Sequence, residues 1–148
     1  GPSILDEPWL NRRYLANSRV IFASERVQAW LENLRTQLQR GPEAWNGPKR
    51  RRMASWLDRM LQRTQEPQLS GALRSAELAY SLPEMAVEVL GFWPAGVKEN
   101  LRILEDNWPQ MLGALQAWSQ GASLEGAVEL LIDRLSQALT VEEPTPEI

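Results

Sequence analysis

The residues best able to do chemistry form a short basic run, Lys49–Arg52, followed by two arginines in the same predicted helix. Cations at a helix N-terminus are locally unfavourable because the helix dipole favours anions there. At about 100° per residue, Arg52, Arg59 and Arg63 share one flank of the helix, beside Trp56. The run is either a solvated basic patch or a face that binds phosphate or acidic peptide. The candidate face is Lys49, Arg50, Arg51, Arg52, Arg59 and Arg63.

An acidic stripe in the last predicted helix mirrors the basic run. Glu125, Glu129 and Asp133 lie at successive fourth positions, where like charges repel by a few tenths of a kcal/mol per pair. Residues 1–74 carry 13 Lys/Arg and 7 Asp/Glu, a net charge of +6, whereas residues 75–148 carry 3 and 12, a net charge of −9. Either the two faces pair within the fold or each meets a partner. We expect that at least the arginine flank, Arg52, Arg59 and Arg63, meets a partner.

Seven tryptophans are another unusual feature of this chain. Three lie on apolar helical stripes and are expected in the core: Trp30, Trp56 and Trp118. Three others, Trp45, Trp93 and Trp108, lie in or beside turns that contain proline. A tryptophan in a turn either seals the ends of helices or anchors a partner, and the sequence leaves both roles open.

Enzyme chemistry has little support in the sequence. The chain has no histidine and no cysteine, which removes the commonest general base, the commonest metal ligands and the thiol nucleophile. Carboxylates four residues apart, such as Glu84 and Glu88, could hold a divalent cation, but solvated helices often show this spacing. We therefore expect no catalytic residue, no metal site, no cofactor and no enzymatic activity.

The spacing of apolar residues predicts an all-α fold, an antiparallel bundle or short array of about six to seven helices. A first helix is expected near Asp6, with Pro8 in its first turn. A short helix over 70–80 is expected to turn Leu73, Ala76 and Tyr80 inward. Ser81 to Glu84 then resembles a capping box that starts a separate helix. The short pattern Trp-Leu-acid occurs twice, beginning at residues 30 and 56, but two such short matches do not establish a repeat.

The chain is long enough for one domain with a real core. We expect a tag remnant over 1–3, a single helical domain over 4–140 and a disordered acidic tail over 141–148. No apolar run approaches the roughly 18 to 20 residues of a membrane span, and no signal peptide is evident. An intracellular protein, cytoplasmic or nuclear, is therefore expected.

These features favour a non-enzymatic protein–protein interaction domain, an adaptor or the subunit of a complex. The alternative is a nucleic-acid-associated helical subunit that contacts phosphates through the basic face around residues 49–63. A pI near 5.1 argues against a dedicated nucleic-acid binder, which is usually basic throughout. Protein partners are thus expected, nucleic acid is a second candidate, and a membrane is not expected.

Overall fold

The computed structural model describes residues 24–142, with side chains described as far as residue 137. The predicted tag remnant over 1–3, the helix expected near Asp6 and residues 143–148 of the expected tail lie outside the described residues. Within the described part the chain forms six helices and no strand, which confirms the all-α prediction. The helices are α1 (Glu25–Arg40), α2 (Gly47–Arg63), α3 (Gln68–Val89), α4 (Val97–Asn107), α5 (Pro109–Ser119) and α6 (Glu125–Glu142).

Short polar residues and glycine set the ends of α1 and α2. Ser24 caps α1 by accepting a hydrogen bond from the Val27 backbone N–H at 3.4 Å. Gly41 follows α1 at φ 77° and ψ 175°, a conformation that residues with a Cβ avoid. Asn46 caps α2 through a 2.9 Å bond from the Lys49 N–H, with Pro48 in the first turn. The basic run therefore begins within the first turn of a well-capped helix.

Helix α3 is one continuous helix, so the predicted boundary at the Ser81 capping box is wrong. Ser81 is helical, and its hydroxyl donates to the Glu77 carbonyl one turn back at 2.9 Å. Pro83 lies inside the helix although proline removes one backbone hydrogen bond. Leu78 and Leu82, on either side of the predicted boundary, are fully buried. Their packing on a common face offsets the lost bond and keeps the helix unbroken.

The face of α3 that was expected to point inward points to solvent instead. Leu73 and Tyr80 are 60% and 73% exposed, and Ala76 between them is also exposed. The buried side is formed by Gly71, Leu78, Leu82, Ala86 and Val87. Because the first half of α3 is apolar on two sides, helical spacing alone could not tell which side meets the core.

The core is shared by α2 to α6, and α6 closes it by packing against α2 more extensively than any other helix pair does. In a linear array each repeat contacts only its neighbours, so this return to α2 favours the bundle over the array. The largest fully buried core side chains are Leu57, Leu78, Leu82, Val87, Leu104, Met111, Val128, Leu131 and Leu135.

Helix α1 lies at the edge of this bundle. Its Leu31 and Leu34 are buried but are not part of the core cluster. The indole N–H of Trp93 donates to the Gln37 carbonyl at 3.3 Å and so joins α1 to the loop at residues 90–96. Gly41 approaches the Gly91 carbonyl so closely that a Cβ at residue 41 would overlap it.

Candidate interaction surfaces

The predicted basic face is divided between surface and core. Arg52, Arg59 and Arg63 are exposed on one flank of α2, as predicted; they form the basic stripe. Arg51 is also exposed. Lys49 is half-buried, with its ammonium 4.5 Å from the centre of the Trp45 ring and 3.8 Å from the Glu88 carboxylate. The exposed part of the face is therefore the basic stripe together with Arg51.

Arg50 is not part of that face, which corrects the sequence prediction. Its side chain is only 7% exposed, and Nε donates to the Trp45 carbonyl at 2.7 Å. One guanidinium nitrogen, Nη1, is buried without a hydrogen-bond partner. Four consecutive helical residues sweep roughly 300°, so one member of the run must face the core. Arg50 is that member because it shares the buried side of α2 with Leu57.

The acidic stripe of α6 lies on the surface, and it does not neutralise the basic stripe of α2. Glu125, Glu129 and Asp133 are all exposed. Helices α2 and α6 are neighbours, and buried apolar residues of both, among them Leu57 and Leu131, belong to the same core cluster. No ion pair joins the two stripes within the described residues. Of the two arrangements that the sequence left open, internal pairing of these stripes is therefore absent.

The three turn tryptophans have different surroundings. Trp45 and Trp108 are 5% and 6% exposed and belong to the core cluster, so they are sealing residues rather than surface anchors. The guanidinium of Arg134 stacks on the Trp108 ring at 4.8 Å. Only Trp93 of the three is half-buried, with one side open to a cleft.

That cleft is the α2–α3 groove, an open depression of about 380 Å³ between α2, α3 and the loop that follows α3. Its lining is mostly apolar, with two methionines and two tryptophans, and every one of these four side chains is half-buried. Methionine adapts its shape to a partner, and tryptophan is frequent among residues that dominate binding energy. The groove is lined by Met53, Trp56, Ser81, Glu84, Met85, Glu88, Trp93 and Pro94.

Charged side chains line the groove on its α3 wall, and the basic stripe lies outside the groove beyond the α2 wall. On the α3 wall are Glu84 and Glu88, of which Glu84 has no ion-pair partner among the described side chains. On the α2 wall, Trp56 lies between the groove and the basic stripe at helical spacing. An apolar groove with an acidic wall is suited to an amphipathic segment that carries basic residues, and a segment wide enough to pass Trp56 would also meet the basic stripe.

A buried asparagine holds the loop that completes the groove. Asn100 on α4 is 6% exposed, accepts from the Ala95 N–H at 2.7 Å and donates to the Ala95 carbonyl at 3.0 Å. This pair of bonds holds Ala95 against α4, directly beside Trp93 and Pro94 of the groove lining. Nothing in the sequence indicates this role, since a single polar residue within an apolar helical pattern shows nothing about the loop it contacts.

A second apolar surface lies on the exposed side of α3. The α3 stripe consists of Leu69, Leu73, Ala76 and Tyr80, all exposed. At its end, a cavity of about 300 Å³ lies between Tyr80, Pro83 and Val97, and Val97 is 61% exposed. Sequence reasoning recognised the spacing of these residues but placed them in the core. The signal that could have identified them was the second apolar stripe on the opposite side of the same helix.

Catalytic and metal chemistry receive no positive indication from the described residues. Across residues 24–137, no three acidic side chains converge as a metal site would require. Arg102 on α4 pairs with Glu99 at 2.6 Å and Asp106 at 3.1 Å. The hydrogen bond and charge of Glu99, with a smaller contribution from Asp106, raise the pKa of Arg102. This trio lies on an exposed helix surface rather than in a cleft.

None of the helices in the described part of the chain is long and apolar enough to cross a membrane. Comparison with protein-family models, with curated proteins and with solved structures gives no match to this chain.

Proposed function

We propose that this chain is a non-enzymatic protein–protein interaction domain, an adaptor or the subunit of a complex, that binds a partner in the α2–α3 groove. The observation that carries the proposal is the groove's lining. Met53, Trp56, Met85 and Trp93 remain half-buried in a cleft of about 380 Å³ while the core residues beneath them are fully covered. Partner sites on proteins characteristically combine such apolar and aromatic side chains with a polar rim.

The walls of the groove point to the chemistry of the partner. Glu84 favours a basic side chain on one edge of the incoming segment, and the basic stripe beyond Trp56 favours an acidic one on the other. We therefore expect an amphipathic helix with an apolar face and charges of opposite sign on its two flanks. Hydrolytic chemistry has no support in the groove, because the Ser81 hydroxyl donates to a backbone carbonyl rather than to a base.

The test is affinity capture from the native source, with and without nuclease, using the unchanged chain and two charge-reversed variants. Glu84→Arg changes the acidic wall of the groove. Glu105→Arg is the matched control, since Glu105 is exposed on α4 and outside the groove lining. Melting temperatures of both variants establish that each is folded.

We expect a protein that survives nuclease treatment, remains with Glu105→Arg and is lost with Glu84→Arg. The captured partner, or its amphipathic segment, should then quench or shift tryptophan fluorescence on titration, because Trp56 and Trp93 line the groove. Equal capture by both variants would remove the groove from the proposal. Capture of no protein, or only through nucleic acid, would overturn the interaction function itself.

A second candidate is contact with nucleic-acid phosphates through the basic stripe. It is favoured by one observation: Arg52, Arg59 and Arg63 are exposed on one flank, with no ion-pair partner among the described residues. Phosphate binding should fall steeply between about 50 and 200 mM salt. Titration of labelled single- and double-stranded DNA and RNA at the lower salt concentration tests it, and absence of binding there excludes this candidate.

A further inference from the structure

Helix α3 has two apolar sides, and the bundle uses only one of them. Leu78 and Leu82 on one side are fully buried, whereas Leu69, Leu73 and Tyr80 on the other are 69%, 60% and 73% exposed. Single exposed apolar residues are common, but an aligned set over three helical turns marks an interaction site. This α3 stripe is distinct from the α2–α3 groove, whose lining contains none of its members.

The spacing of the α3 stripe is the same in both directions along the helix. Its members follow one another at intervals of four, three and four residues. The midpoint of the stripe lies between Arg74 and Ser75. If a second α3 runs antiparallel about a two-fold axis at that midpoint, Leu69 faces Tyr80 of the other copy. Leu73 then faces Ala76, so each large side chain in the centre meets a small one.

Charge at the edge of the stripe is compatible with the same arrangement. Arg74 and Glu77 lie on one flank of the stripe, 3.6 Å apart within the same helix, and their charges cancel. This ion pair is made within each copy, so the edge of the stripe presents no unpaired charge to a second copy. A surface that carries no net charge can pair with itself without repulsion.

The exposed area is adequate for such a contact. The stripe and the adjoining Val97 expose roughly 400 Å² of mostly apolar surface per copy, the size of the largest patch on a typical monomer. A specific interface buries about 800 Å² per partner, including its polar rim. The apolar part of the stripe thus supplies about half of that area, as expected for the central part of a small, reversible dimer interface.

We infer that this chain forms a two-fold symmetric homodimer through antiparallel contact of the α3 stripes. The occupant of the stripe is a second copy of the chain, and the inference does not depend on any partner in the groove. Dimerisation also places two copies of the groove on one particle, so a partner with two binding segments would be held more tightly than by a monomer.

The test is light scattering coupled to size exclusion, and sedimentation equilibrium, from low to high micromolar concentration. We expect a reversible monomer–dimer equilibrium for the unchanged chain. Leu73→Glu should weaken dimerisation by more than about tenfold, because it places a charge at the centre of the contact. Val27→Glu on α1, where Val27 is 45% exposed, is the matched control and should leave the dimer intact. A chain that stays monomeric throughout, or a dimer equally stable with Leu73→Glu, overturns the inference.

Disulfide trapping tests the antiparallel arrangement separately. The chain has no cysteine, so single introduced thiols report on one contact each. A Leu73→Cys chain mixed with an Ala76→Cys chain should give a heterodimeric disulfide more readily than either chain alone, because bridged residues must approach to within about 7 Å. Preferential linkage of Leu73→Cys to itself would contradict the antiparallel geometry.

Discussion

Replacement of Asn100 is the most direct test of how the fold builds the groove. Its side chain makes two hydrogen bonds to Ala95, one in each direction, at 2.7 and 3.0 Å. Asn100→Ala removes both and leaves the N–H and carbonyl of Ala95 without these partners. We expect the free energy of unfolding to fall and the loop over 90–96 to loosen.

The magnitude follows from the two bonds and from the exposure of the groups left behind. Each intramolecular hydrogen bond contributes about 1 kcal/mol net, and a fully buried unsatisfied group costs a further 1–3 kcal/mol. Ala95 is half-buried, so water can reach its backbone in part and the smaller end of that range applies. The expected loss is about 2–3 kcal/mol, or roughly 6–12 °C in melting temperature.

Urea and thermal unfolding measure this loss, and Asn107→Ala is the matched control on the same helix. The Asn107 side chain is exposed and donates only to the Ile103 carbonyl, so its removal should cost less than about 0.5 kcal/mol. Hydrogen exchange should show faster exchange at residues 90–96 in Asn100→Ala but not in Asn107→Ala. Equal stability of Asn100→Ala and the unchanged chain would refute the argument that this asparagine holds the loop.

Two further predictions concern the backbone and the surface charge. Gly41→Ala should lower the free energy of unfolding by about 1–3 kcal/mol or more, because φ of Gly41 is 77° and the added Cβ would overlap the Gly91 carbonyl. Urea unfolding measures this loss, and a loss below about 0.5 kcal/mol would contradict the prediction. Reversing all three charges of the basic stripe should change stability by less than about 1 kcal/mol, since exposed charges without partners contribute little. A clear loss of partner binding at nearly constant melting temperature is expected, and a large fall in melting temperature would instead show that the stripe stabilises the fold.

The sequence predicted the class of fold because the spacing of apolar residues along a helix is visible within a short stretch of chain. Apolar residues at intervals of three and four predicted an all-helical chain, as the structure shows. The sequence was less reliable where a local pattern competed with tertiary packing. The pattern from Ser81 to Glu84 resembles a helix start, but packing of Leu78 and Leu82 on a common buried face keeps α3 continuous across it.

The candidate sites were predicted less completely, because a side chain's surroundings depend on distant residues. Spacing placed Arg52, Arg59 and Arg63 on one exposed flank, but it did not show that Arg50 turns to the core. The groove is lined by residues from α2, α3 and the following loop, which are distant in the sequence. The contact of Asn100 with Ala95 likewise cannot be predicted from the spacing of apolar residues.

The sequence by itself thus determined that the chain is helical, which residues carry charge and that charge is separated between its two halves. Only the tertiary structure decided whether those charges meet. Helices α2 and α6 pack against each other and bury Leu57 and Leu131 in the core, whereas the basic and acidic stripes lie on the surface. The physical reason is that burial of apolar area orients each helix, and exposed charges then lie where that orientation leaves them.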